Sequence, residues 1–238
     1  MDNKQPAPNH TLSTKFVPHP RPFTVGITGV PGAGKTTFSR ALSTELRIQG
    51  VFNTVEYIDE YARAYIAKYG RISEVWEQVR IFNKQLQQER RFHNSCEALI
   101  SDSPVFLGFM YSVYLRREGN QKDAMILSDL FNEMIKLNVE PHYDVILHLP
   151  PVLKPANDGI RIAEHFQDDW RASADSFIRS IFQIFPPSRF AVLDFPQAEY
   201  MTHNALNKAK LLRLRLASAV EIVRNQLQVL NGHEVSSK

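Results

Sequence analysis

Short apolar runs alternate along this chain with longer segments in which apolar residues return every three or four positions. At 23–28, Phe23, Val25 and Ile27 alternate with Thr24, Gly26 and Thr28, which is the period of a strand. The stretches "NTVEYIDE", "EALISD", "YDVILHLP" and "RFAVLDF" are further strand-like runs. Between them lie the helical segments "TTFSRALSTELRIQG", "YARAYIAKYG" with Gly70 as terminator, "ISEVWEQVRIFNKQLQQERRFHNS", "SPVFLGFMYSVYLRRE", "KDAMILSDLFNEMIKLN" and "DDWRASADSFIRSIFQIF". A last helix is expected from about Glu199 to Leu230. Strands alternating with helices predict an α/β fold, a doubly wound five-stranded parallel sheet with helices on both faces. Ligands of such sheets sit beyond the carboxyl ends of the strands, so polar residues at those ends carry the functional weight.

The first strand runs into "GVPGAGKTT". Gly29 and Gly34 frame four residues and Lys35 and Thr36 follow, the spacing of a phosphate-binding loop between a strand and a helix. The loop from Gly29 through Pro31, Gly32, Ala33 and Gly34 to Thr37 can curl around an anion, its successive N–H groups, Pro31 excepted, pointing inward, and the helix that follows points its positive end at it. Lys35 is expected on the β- and γ-phosphates of ATP and the Thr36 hydroxyl on Mg²⁺. The bland alternative, a glycine-rich turn that binds nothing, fits poorly with the strand before it and the amphipathic helix after it.

Other strand ends carry acids and arginines. Asp59 and Glu60 close the second strand, with Arg63 one turn into the next helix. Either acid suits an acceptor hydroxyl across the cleft, and either equally suits a helix N-cap. Arg63 suits a phosphate clamp or a surface pair with Glu60. Asp102 closes the third strand in "ISDSP", where an acid supports Mg²⁺ in phosphate-loop enzymes or else caps the helix opening at Pro104. Beyond the fourth strand, "LPPVLKPANDGIRIAEHFQDDWR" is rich in turn residues and reads as a lid over about 150–167, from which Arg161 and Arg171 would neutralise charge on the transferred group. His148 is expected to line the core or cleft. Trp76, Phe82, Phe106, Phe109 and Tyr111 suit an acceptor pocket or, more simply, the core.

Composition narrows the class. The 238 residues suit one α/β domain, and 43% hydrophobic with 22% charged residues is ordinary for a globular protein. Cys96 is the only cysteine, which excludes an intrachain disulfide, argues against a zinc cluster and favours a cytoplasmic setting. Residues 1–21 lack an apolar core of signal-peptide length and read as a flexible arm, and no apolar run approaches a membrane span. Net charge is +3, compatible with phosphorylated ligands without establishing nucleic-acid binding. Arg90-Arg91, Arg116-Arg117 and the group Lys208, Lys210, Arg213 and Arg215 are basic clusters, read first as solvated helix faces.

Together, "GVPGAGKTT", "IDEYARAYI", "ISDSPVFLGFMYS" and "YDVILHLPP…DGIR" resemble the P-loop nucleoside and nucleotide kinases, and in particular the nicotinamide-riboside-kinase-like ATPase domains of bacterial and phage proteins. The resemblance spans 22 to about 195 and implies a kinase domain over 22–198, followed by a C-terminal helix and tail over 199–238. It implies ATP with Mg²⁺, and phosphoryl transfer to a small nucleoside or nucleotide acceptor. In that family an E-Y-x-R element follows the second strand, as Glu60, Tyr61 and Arg63 do here, and a D-G-x-R element lies in the lid, as Asp158, Gly159 and Arg161 do. The likeness favours Glu60 over Asp59 as the acceptor-side acid. Two rivals remain: a kinase of hydroxymethylated bases in DNA, footed on Arg90-Arg91 and Lys208 to Arg215, and a regulatory ATPase with no small acceptor. The partners expected are therefore a nucleoside or nucleotide, with DNA and a second copy of the chain as further candidates, and no membrane.

Overall fold

The structure, a computed structural model, describes residues 21–92, 94–139, 142–151, 167–183, 186, 189–195 and 205–236. The apolar runs form strands β1 (Phe23–Thr28), β2 (Val55–Ile58), β3 (Ala98–Asp102), β4 (Val145–His148) and β5 (Phe190–Val192). They pair in parallel as one five-stranded sheet in the order β2-β3-β1-β4-β5. Among the described residues seven helices surround it: α1 (Lys35–Ile48), α2 (Tyr61–Tyr69), α3 (Val75–Arg90), α4 (Phe106–Leu115), α5 (Gln121–Val139), α6 (Asp168–Phe182) and α7 (Ala205–Ser236). The chain leaves central β1 toward β2 and β3, then crosses to β4 on the other side. That reversal opens a crevice at the carboxyl end of β1, where the phosphate loop begins.

β1 alternates in sequence, yet all six of its residues are buried. Its polar positions are small residues that let both layers of helices approach. A Cβ on Gly26 would meet Pro104 Cβ at 3.1 Å and Tyr143 Cδ1 at 3.2 Å. Phe38, Leu42 and Leu46 of α1 and Val220, Val223 and Leu227 of α7 bury into the same core as Val25 and Ile27.

Polar contacts set the start of α2. Gln85 of α3 accepts a hydrogen bond from the Tyr61 backbone N–H at 2.9 Å, and Glu77 accepts one from the Tyr65 hydroxyl at 2.9 Å. Gln85 in turn donates to Ser101 Oγ at 3.1 Å. Beneath it the Glu89 carboxylate, fully buried, is held by Ser101, Tyr143 and His142. The residue just before α2 thus rests on a satisfied buried network rather than on a loose loop.

Two expected boundaries differ. The last helix runs past Leu230 to Ser236, since Asn231 and Gly232 do not interrupt a helix already in register, while 199–204 lie outside the described residues. Arg21, read as the end of an arm, is fastened to the folded body by both nitrogens of its fork, each 2.8 Å from an Asp144 carboxylate oxygen. Among the described residues no helix is long and apolar enough to cross a membrane.

Candidate active site

The loop after β1 forms a cradle. Gly29, Gly32 and Gly34 take φ values of 148°, 80° and 90°, a region that side chains oppose. A Cβ at Gly29 would also sit 2.6 Å from the Leu149 carbonyl oxygen. α1 begins at Gly34 with no side-chain cap, so its first N–H groups are left to an anion. Lys35 donates from Nζ to the carbonyls of Gly29 at 3.0 Å and Val30 at 3.4 Å. Its charge is thereby parked at the mouth of the loop it is expected to serve.

Thr36 and Asp102 meet at the carboxyl end of β3. The Thr36 hydroxyl donates to Asp102 Oδ2 at 2.5 Å, and the Tyr57 hydroxyl lies 3.3 Å from the same oxygen. Asp102 Oδ1 is buried with no hydrogen-bond partner among the described residues. α4 starts only at Phe106 with Val105 at its N-cap position, so Asp102 is not spent as a helix cap. An orphaned carboxylate oxygen beside a threonine hydroxyl fits Mg²⁺, bound directly or through water. Among the described residues no group of three or more His, Cys, Asp or Glu gathers at a metal-binding distance.

Burial, and then the charge of Glu60, push the Asp102 carboxyl up to about 6, against about 3.9 in an unfolded chain. Between these values the folded protein holds a proton that the unfolded chain has released. In the metal-free, nucleotide-free protein this group therefore lowers stability as pH rises through the window. Asp102→Asn is expected to remove that slope, gaining on the order of 2 to 3 kcal/mol relative to the parent between roughly pH 4 and pH 7. Urea unfolding across that range reads it. A constant difference between the two proteins would mean the carboxyl titrates normally.

The acids after β2 part company. Asp59 turns to solvent, paired with Arg40 at 2.9 Å, and accepts from the Tyr57 hydroxyl at 2.8 Å. Glu60 occupies the N-cap position of α2 yet makes no side-chain cap bond. Its side chain, 16% exposed, pairs with Arg63 at 3.2 Å and lines a cleft. That cleft is open to solvent and walled by Gln78, Phe82, Gln85, Ser103 and Tyr111. Of the aromatics considered from sequence, Phe82 and Tyr111 line it, Phe106 is core, and Trp76 is 44% exposed.

On the far side of β1, His148 is buried at the end of β4 and bonds Asp175 through Nε2 at 2.7 Å. Burial holds its pKa below the ordinary value, so the ring stays neutral as a core histidine. Arg171 belongs to the first turn of α6, buried, 3.6 Å from Asp168, in a helix rather than in the segment before it. Arg161, Asp158, Gly159 and most of the expected lid lie outside the described residues. Lys208, Lys210 and Arg213 are exposed on α7, but Arg215 is buried. The basic cluster as read from sequence therefore loses one of its members from the surface.

The family model of an AAA domain matches residues 24–193, well over half of the chain. The chain belongs to that family. No curated protein sequence matches it. Among solved structures it is similar to NadR protein in complex with NR, at 20% identity and a TM-score of 0.64 over 87% of this chain and 52% of that one. It is similar also to NadR protein in complex with NAD and AMP-PNP, at 16% identity and a TM-score of 0.56 over 87% and 50%. Thymidylate kinase from Ehrlichia chaffeensis gives 14% identity and a TM-score of 0.53 over 84% of this chain and 99% of that one. The chain spans about half the length of the NadR chains it matches. These likenesses establish a P-loop kinase-like fold.

Three residues at the site had no sequence signal of their own. Tyr57 sits in a strand like any aromatic, Gln85 in a helix like any polar residue, and their roles come from what lies across the sheet. Ser103 was visible only as part of "DSP". It adopts a φ of 68°, costly for a residue with a Cβ. Its hydroxyl is buried without a partner among the described residues, beside the cleft.

Proposed function

We propose that this chain is an ATP- and Mg²⁺-dependent kinase that transfers a phosphoryl group to a hydroxyl of a nucleoside, nucleotide or related nucleobase-containing acceptor. The observation that carries the reading is the Glu60 carboxylate, which lines the cleft without capping α2. Its charge reaches Asp102, which accepts a hydrogen bond from the Thr36 hydroxyl. An alcohol must lose a proton as it attacks phosphorus, and Glu60 is the group in the cleft fitted to accept it. Lys35 exchanges its two loop carbonyls for β- and γ-phosphate oxygens, while the loop amides orient the nucleotide. Thr36 and Asp102 would hold Mg²⁺, which when bound neutralises charge on the phosphates. Arg161 is assigned to the transferring group from its place in the turn-rich segment after β4 and from the family pattern. Rate enhancement then rests on positioning and fixed charge. The NR and AMP-PNP in the NadR structures and the name of the thymidylate kinase support a nucleoside-like acceptor with a nucleotide donor.

The test is γ-labelled ATP with Mg²⁺ and three acceptor classes: nucleosides, mononucleotides, and duplex DNA carrying hydroxymethylated bases. Label on a free nucleoside or nucleotide is the expected result. Label confined to DNA would replace this reading with a polynucleotide-directed kinase, and label only in inorganic phosphate would replace it with an ATPase.

A further inference from the structure

Arg215 stands apart from the other cations of α7. It is 3% exposed, and no acid pairs with it among the described residues. One guanidinium nitrogen donates to the carbonyl of Ala33 at 3.2 Å and the other to the carbonyl of Pro150 at 3.1 Å. Its Nε has no hydrogen-bond partner among the described residues. Burying a guanidinium with no carboxylate in direct contact is costly, and burial pushes its pKa down to about 10 against the opposing charge of Asp194. An apolar side chain at this position would pack α7 onto α1 and β4 without that cost.

Both acceptors belong to segments that meet at the phosphate loop. Ala33 lies between Gly32 and Gly34 in the phosphate loop. Pro150 follows Leu149, whose N–H bonds the Thr28 carbonyl at 2.8 Å and whose own carbonyl crowds Gly29. In a trans peptide the C=O and the next N–H point in opposite directions. A donor that holds the Ala33 carbonyl outward, toward α7, therefore aims the Gly34 N–H inward, and polarises it. Held by Arg215, the Ala33 oxygen is turned away from where phosphate oxygens would otherwise meet it.

We propose that Arg215 is a positioning residue for ATP, by which the C-terminal helix fixes the Ala33–Gly34 peptide of the phosphate loop against the exit of β4. The inference rests on the reading of that loop as an ATP site. It makes α7 part of the nucleotide-binding apparatus rather than an appendage.

Arg215→Met keeps the length and the burial and removes both donors. Arg215→Lys keeps the charge but serves one carbonyl at a time. Val223→Ala, in the same helix and core but away from the loop, controls for loosened packing. Affinity for a fluorescent ATP analogue is measured well below each variant's melting temperature, with KM for ATP and kcat in parallel. The expected result is an analogue Kd raised about tenfold in Arg215→Met and less in Arg215→Lys. The effect should fall on KM for ATP more than on kcat, while Val223→Ala lowers the melting temperature alone. Should Arg215→Met not fold, the lysine variant against Val223→Ala decides. Native affinity in the Arg215 variants, or an equal loss in Val223→Ala, overturns the proposal and leaves Arg215 as an anchor of α7. A parent protein that binds no ATP analogue would instead overturn the reading of the loop.

Discussion

Lys35→Met is expected to abolish phosphoryl transfer and to leave the fold in place. The side chain is buried, but among the described residues its ammonium donates to just the Gly29 and Val30 carbonyls, and methionine fills the same path. What disappears is the positive charge that would move onto the β- and γ-phosphates. A charge aimed at the transferring group inside a dry site is worth on the order of 3 kcal/mol or more, a hundredfold or greater in rate. Labelled-ATP turnover, with circular dichroism and a melting curve on the same preparation, separates the two effects. Turnover at the parent rate would remove the phosphate-loop assignment and with it the nucleotide site.

Glu60→Gln is expected to lower kcat about a hundredfold, with acceptor affinity little changed. The amide preserves shape and the contact with Arg63 but accepts no proton. Asp59→Asn serves as the internal comparison. Its side chain is 68% exposed and committed to Arg40 and Tyr57, so turnover within about twofold of the parent is expected, as for a surface position outside the chemistry. The pair thus decides between two acids that sequence places side by side. Should Glu60→Gln leave kcat intact while Arg63→Ala raises KM for a phosphorylated acceptor, Glu60 and Arg63 bind a sugar phosphate together. The enzyme would then be a nucleotide kinase, since a phosphate acceptor is already ionised and needs no base.

Much of the candidate site was legible because its signals are local. The spacing from Gly29 to Thr36 encodes a turn whose geometry only glycine adopts readily, and "ISDSP" marks the end of a strand. What stayed illegible was the choice among uses. Glu60, Asp59 and Asp102 each had a helix-capping alternative, and capping depends on where a side chain points, which spacing does not say. The absent cap bond at Glu60 and the Thr36 contact of Asp102 set the capping alternative aside. Arg215 shows the same limit from the other side. Its neighbours Lys208, Lys210 and Arg213 make it look like a surface cation, and only the docking of α7 puts it against the phosphate loop.

By itself, the sequence determined the alternation of strands and helices, the parallel doubly wound sheet and the phosphate loop. Periodicity and glycine placement act through neighbouring residues, and a parallel sheet follows once helices separate successive strands. Tertiary structure alone decided the strand order that brings Asp102 beside Thr36, the outward turn of Asp59, the network under Glu60 and the burial of Arg215. Those are contacts between residues far apart in the chain, such as the 182 positions separating Arg215 from Ala33. The packing of whole faces sets such distances, which no local pattern specifies.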